Sequence, residues 1–171
     1  MAEALLRRHL ERAGIESHVS SAGFSASGQS PTTEILEVMA DRGLDVSMHR
    51  SRRIDASMLD QADLVVGMAR RHVRDCVVMA PACLSRAFTL KELNRRIGEV
   101  GLSSEGEALA AWSARLAAGR SPTSHLGDDP DDDVVDPMGR RFRIYQQVAA
   151  EIDGLIAGLA PSLVLAAERR P

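Results

Sequence analysis

Apolar positions recur along this chain with two different periods, and the switches between them mark out the elements. Residues 2–13 place Leu5, Leu6, His9, Leu10 and Ala13 at helical spacing, which predicts an amphipathic helix stopped by Gly14. Residues 17–22 read as a short strand entering a Gly/Ser-rich loop that runs to Gly28. Ser30-Pro31 predicts the start of a second helix, with serine as cap and proline in the first position. That helix turns Ile35, Leu36, Val38 and Met39 inward and stops at Gly43. Asp55 predicts the cap of a short helix through Gln61. Residues 63–68 hold the continuous apolar run of a strand buried on both faces of a parallel sheet. A helix over 69–79 follows, Pro81 breaks it, and Leu84 to Phe88 predicts a third strand. Thr89 to Glu92 and Ser104 to Glu107 both have capping-box form and predict two further helices, the second holding Trp112. Residues 119–137 are polar and predict a loop. The last helix, 140–159, lines Phe142, Tyr145, Val148, Ile152, Leu155 and Leu159 along one face, and 161–171 reads as a partly frayed tail.

Helices alternating with short apolar strands predict an α/β fold with a parallel sheet, whose ligands bind beyond the carboxyl ends of the strands. One domain over 1–160 accounts for the pattern. Composition narrows the partners. Net charge is −3, which gives no argument for nucleic acid or a membrane surface. No apolar run in the sequence approaches the ~18 residues that span a bilayer. Two cysteines, Cys76 and Cys83, supply neither a disulfide framework nor a metal-ligand set, so a reducing cytoplasm is the expected compartment, with no metal and no cofactor.

Chemistry concentrates in few places. Between Asp128 and Pro137 stand six aspartates, Asp128, Asp129, Asp131, Asp132, Asp133 and Asp136. Such a run reads either as a solvated loop or loose cation site, or as a loop whose Asp136-Pro137 supplies a general acid to a departing oxygen. Ser21 reads as a strand-end serine bonded to its own loop, and His49 as a packed or half-exposed histidine. A thiolate that attacks phosphorus needs a helix N-terminus and an arginine in the spacing Cys-x5-Arg. Six residues after Cys76 stands Ala82, and six after Cys83 stands Thr89, so neither cysteine fits. Cys76 shares a helix face with Val73 and Ala80 and reads as core. No Gly-x-Ser-x-Gly elbow and no Walker-type or dinucleotide glycine loop occurs.

Met1-Ala2-Glu3-Ala4, Ser21-Ala22-Gly23, Gly43-Leu44-Asp45 through Arg52, and Asp136-Pro137 follow one another in an order that resembles the low-molecular-weight protein tyrosine phosphatases. The resemblance covers about residues 1–90 and 127–160. It implies a three-layer α/β/α architecture whose central first strand and Cys-x5-Arg loop would precede Met1 and are absent here, with an added helical hairpin at about 91–126. It implies Asp136 as general acid and base on an acid loop with Pro137 and Asp133. Ser21 and His49 become supports of the phosphate loop, with no nucleophile among these residues. A phosphorylated substrate follows for a complete version, and little activity for the chain as it stands. Two alternatives stay open: a non-catalytic binding or oligomerising relative, and an arsenate-reductase-like thiol enzyme, for which Cys76 or Cys83 would resolve the intermediate. A strand gap would leave backbone groups unpaired, so the resemblance also implies a strand-donating partner, a homo-oligomer, or collapse of the flanking strands. Two departures stand out: Ala69 where family members often have Asp, and Met138 in place of the usual aromatic.

Overall fold

The computed structural model describes residues 1–25, 27–121, 123 and 127–167. The elements are α1 (Ala2–Arg12), α2 (Thr33–Ala40), α3 (Ala56–Gln61), β1 (Val65–Gly67), α4 (Arg70–Met79), β2 (Ala87–Thr89), α5 (Leu90–Val100), α6 (Leu109–Ala117) and α7 (Phe142–Ala167), with a 3-10 helix over Pro81–Arg86. They divide into two compact units, Met1–Ile54 with Val135–Ile156, and Asp55–Val134 with the residues from Ala157 on.

In the first unit the apolar stripes predicted for three helices are buried. Leu5 and Leu10 of α1, Val38 and Met39 of α2, and Tyr145, Val148, Ala149, Ile152 and Ile156 of α7 form its core. Polar ties fix the helices at the edge of that core. Arg8 of α1 donates to both carboxylate oxygens of Asp153 on α7, at 3.0 and 3.1 Å, and to the Arg42 carbonyl at 2.9 Å. His9 adds a 2.9 Å contact to the same carboxylate. The expected strand at 17–22 does not form; only Gly23 makes a bridge, with Arg53. A strand exists through its ladder, and here arginine side chains take the carbonyls instead. Arg7 donates to the Val19 carbonyl at 3.0 Å and Arg52 to that of Ser21 at 3.2 Å. The helix expected from Ser30-Pro31 starts later, at Thr33, because the preceding residues run beside Ser51. Its amide donates to the Gln29 carbonyl at 2.9 Å, and its hydroxyl accepts from the Gln29 amide at 3.0 Å.

In the second unit β1 and β2 pair in parallel, Val65 with Ala87 through Gly67 with Thr89. The crossover is α4, as a parallel pair requires. Gly67 permits α4 to turn back closely: a Cβ there would come within 3.0 Å of the Val73 side chain and 3.2 Å of that of His72. β2 is buried throughout and runs into α5 through the predicted capping box, with the Glu92 amide on the Thr89 hydroxyl at 3.0 Å and the Thr89 amide on the Glu92 carboxylate at 3.3 Å. Arg120 closes this core, its guanidinium 4.4 Å from the Phe88 ring, 2.9 Å from the Ala87 carbonyl and 2.9 Å from Glu92.

The second capping-box sequence misleads. Glu107 does accept from the Ser104 amide, but it is held by Arg115 at 2.7 Å, Gly106 sits at φ 71°, and the helix begins only at Leu109. The expected tail is also corrected. α7 continues through Pro161 to Ala167, where the buried Ser103 hydroxyl donates to the Ser162 carbonyl at 2.6 Å; residues 168–171 lie outside the described residues. At Phe142–Ala166 α7 is long and apolar enough to cross a membrane by length and composition, contrary to the expectation that no run comes near this. Its buried face is what a core helix of that length shows.

Candidate active site

Ser21 and His49 meet on one carboxylate. The Ser21 hydroxyl donates to Glu3 Oε2 at 2.5 Å, His49 Nδ1 lies 3.8 Å from the same oxygen, and Arg7 holds Oε1 at 2.5 Å. The arrangement follows from local structure. Glu3 and Arg7 are one helical turn apart on α1, and residues 17–22 pass the helix held by the Arg7 bond to Val19. Burial alone would raise the Glu3 carboxyl, but hydrogen bonds from Ser21 and Arg7, with the Arg7 and His49 charges, outweigh it and hold the group below its usual range. The result is an ionised acceptor that fixes the serine hydroxyl and lies within ion-pair range of the imidazole. The chain's pattern did not single out Glu3, because a glutamate in the first turn of a helix reads as a solvated residue favoured by the helix dipole. Its i to i+4 partner Arg7 was the legible signal.

Two of the six aspartates, Asp129 and Asp132, are held by arginines. Asp132, 2% exposed, receives Arg95 at 2.6 Å on one oxygen and Arg70 at 2.7 Å on the other. Arg70 also reaches Asp129 at 2.7 Å, and Lys91 donates to the Pro130 carbonyl at 3.2 Å. Burial pushes the Asp132 carboxyl up, and the two guanidiniums more than reverse this, so it titrates below the ordinary carboxylate range. Among the described residues no group of three or more His, Cys, Asp or Glu is placed to hold a metal ion. Asp133 acts on the backbone instead. Its Oδ1 accepts the Arg70 amide at 2.7 Å and so caps α4, whose own cap residue, Ala69, has no side-chain acceptor. The Val134 amide then donates to the Met68 carbonyl at 2.7 Å, tying the loop to the end of β1.

Asp136 stands apart from all of this. Its side chain is exposed, Oδ1 accepts only the Met138 amide, at 3.0 Å, and Pro137 behind it is buried. Among the described residues no hydrogen bond joins Asp136 to Ser21 or His49. The structure thus brings Ser21 and His49 together on Glu3, binds Asp133 to a backbone amide, and leaves Asp136 exposed, as it does Asp128 and Asp131.

Residues 1–102 match the family described as low molecular weight phosphotyrosine protein phosphatase. The chain belongs to this family. It is 35% identical over 96 residues to a probable low molecular weight protein-tyrosine-phosphatase EpsP of Ralstonia solanacearum, a match covering 56% of the chain and 63% of that relative, under two thirds of the relative's length. It is 26% identical over 164 residues to a protein-arginine-phosphatase of Bacillus subtilis, covering 95% of the chain and 87% of that protein. The low molecular weight protein tyrosine phosphatase of T. tengcongensis has a similar structure, with TM-score 0.68, 28% identity, and coverage of 94% of the chain and 87% of that structure. The α/β fold is therefore that of the low-molecular-weight phosphatases.

Family membership makes the state of the two cysteines informative. Both are free and buried. Burial, with the neighbouring Cys83 and Asp75, pushes the Cys76 thiol up to about 11, and burial likewise raises Cys83. A family nucleophile needs the opposite, a stabilised thiolate.

Proposed function

We propose that these residues carry the acid and supporting parts of a low-molecular-weight phosphatase that hydrolyses phosphomonoesters through a phosphocysteine. The exposed Asp136 carboxyl, followed by the buried Pro137 and standing just ahead of α7 on a loop whose Asp129, Asp132 and Asp133 are bonded elsewhere, is the observation that carries the reading. A thiolate attacks phosphorus and breaks the bond to the leaving oxygen, which takes the proton of Asp136. The Asp136 carboxylate then removes a proton from water. That water attacks the phosphocysteine, releasing phosphate and restoring the thiolate. The Glu3–Ser21–His49 cluster shapes the phosphate loop.

Neither Cys76 nor Cys83 has an arginine six residues on, so the thiolate belongs to a Cys-x5-Arg loop outside the 171 residues, and the chain by itself turns over no aryl phosphate. β1 has one hydrogen-bonded neighbour among the described strands, which fits a further strand, from that segment or from a partner, on its other edge. The family match ends at residue 102, which fits α6 as part of an added hairpin. Phosphotyrosine, the phosphomonoester in the name of one relative, is the substrate class; phosphoarginine, in the name of another, is a phosphoramidate whose leaving atom is nitrogen. Two free thiols support a reducing cytoplasm as its compartment. Arsenate reduction is disfavoured, because it would need an accessible resolving thiol and both are buried.

Sequencing the genomic DNA for about twenty codons ahead of Met1, the length of one strand and the loop, tests the reading. An in-frame Cys-x5-Arg, with aryl phosphatase activity in the longer chain and none in the 171 residues, is expected. An in-frame stop would sink the catalytic reading in favour of the binding relative.

A further inference from the structure

We infer that Tyr145 is the positioning residue for the general acid, a role that rests on Asp136 being that acid. Tyr145 lies in the first turns of α7 and is 2% exposed, its ring filling the core of the first unit. Its hydroxyl is satisfied by the turn just after Asp136-Pro137. It accepts the Gly139 amide at 3.2 Å and donates toward Met138 Sδ at 4.0 Å. The Asp136 carboxylate grips the same turn from the other side, accepting the Met138 amide at 3.0 Å, and the Arg140 amide closes it on the Pro137 carbonyl at 3.0 Å. Gly139 takes φ 70°, a conformation that glycine adopts without strain.

A buried phenol must find some partner. Here both partners are residues whose placement sets where the carboxyl stands. The hydroxyl links a rigid helix to a five-residue turn, so one Asp136 oxygen is committed to the turn and the other is left for the leaving group. A carboxyl held in this way does not have to reorganise at the moment of proton transfer, where a displacement of ~1 Å can cost about a hundredfold. The sequence places Tyr145 on the apolar stripe of the last helix, and that stripe accounts for its ring and not for its hydroxyl.

Tyr145→Phe keeps the ring and deletes the hydroxyl. In the 171-residue chain, hydrogen exchange at the Gly139 amide is expected to quicken about tenfold, while the Val148 and Ile152 amides in α7 do not change. In the longer chain bearing the thiolate loop, kcat/KM reads the proton-delivering first step. Tyr145→Phe is expected to lower it about tenfold for phenyl phosphate, a poor leaving group, and less than about twofold for 4-nitrophenyl phosphate, which needs little protonation. Asp136→Asn gives the same pattern more strongly. Equal losses on both substrates, or an unchanged Gly139 amide, would overturn the positioning role. If Asp136→Asn itself shows no leaving-group dependence, the acid assignment fails first and takes the positioning role with it. If Asp136→Asn shows it and Tyr145→Phe does not, only the positioning role falls.

Discussion

Asp132 and Asp136 stand four residues apart on one loop and in opposite surroundings. Asp132 is buried, with a guanidinium on each oxygen, and its affinity for a proton is pushed down. Asp136 is exposed and bonded to a single amide of its own turn. A carboxylate locked between two arginines has nothing to give a leaving group near neutral pH, whereas an accessible one can exchange a proton with whatever lies against it. The run of aspartates is therefore not a uniform acidic surface. Asp129, Asp132 and Asp133 fix the loop, while Asp128, Asp131 and Asp136 are exposed.

The sharpest way to break this contrast is to remove each carboxylate's charge in turn. Asp136→Asn is expected to lower kcat/KM for a poor leaving group by about 10²–10⁴ in the longer chain. It should leave thermal stability unchanged to within about 0.5 kcal/mol, as for an exposed side chain. Asp132→Asn should do the reverse. It removes the charge facing two guanidiniums and replaces one of the two acceptor oxygens with a donor, which costs about 2 kcal/mol, read as a fall in Tm of about 6 °C, with little effect on leaving-group dependence. If both variants lose activity and neither loses stability, the division of labour is wrong.

The clasp on Asp132 also has a pH dependence. Asp132 is depressed in the folded state, so its contribution is complete above the unfolded value of about 4 and disappears as pH falls through the lower native value. Urea melts at pH 7 and near pH 3 are expected to show the gap between wild type and Asp132→Asn shrinking at the lower pH. A gap that stays constant would mean that the arginine pairs do not stabilise the loop.

Local rules made part of this legible. The Thr89–Glu92 capping box and the Asp55 cap appear where their residue types predict, because each depends on neighbours within four positions, whereas the apolar run at 63–68 yields a strand only over Val65–Gly67, half-buried and held by its pairing with Ala87–Thr89. Errors arose where a distant group won. Ser30-Pro31 has the form of a helix start, yet Ser51 draws the backbone before it into an extended run. Ser104–Glu107 has the form of a cap, yet Arg115 takes the glutamate. The site divides in the same way. The pattern marks Asp136-Pro137, whereas Glu3 as the meeting point of Ser21 and His49, and Arg70 and Arg95 as the clasp of Asp132, depend on contacts between residues 18 to 62 positions apart.

Asp133 lies between the two extremes and gives the smallest effect. Its carboxylate caps α4 from across the loop, and it can do so because Ala69, the residue that should cap that helix, has no acceptor. Asp133→Ala is expected to cost about 1 kcal/mol, a fall in Tm of about 3 °C. The contribution should depend on the vacancy at position 69. In an Ala69→Ser background, where a local hydroxyl can take an amide of the first turn, the same Asp133→Ala change should cost less than half as much in urea melts. Equal costs in the two backgrounds would show that Asp133 stabilises the loop by some route other than the helix cap. The acidic run would then lose the member that joins it to α4 through a backbone amide.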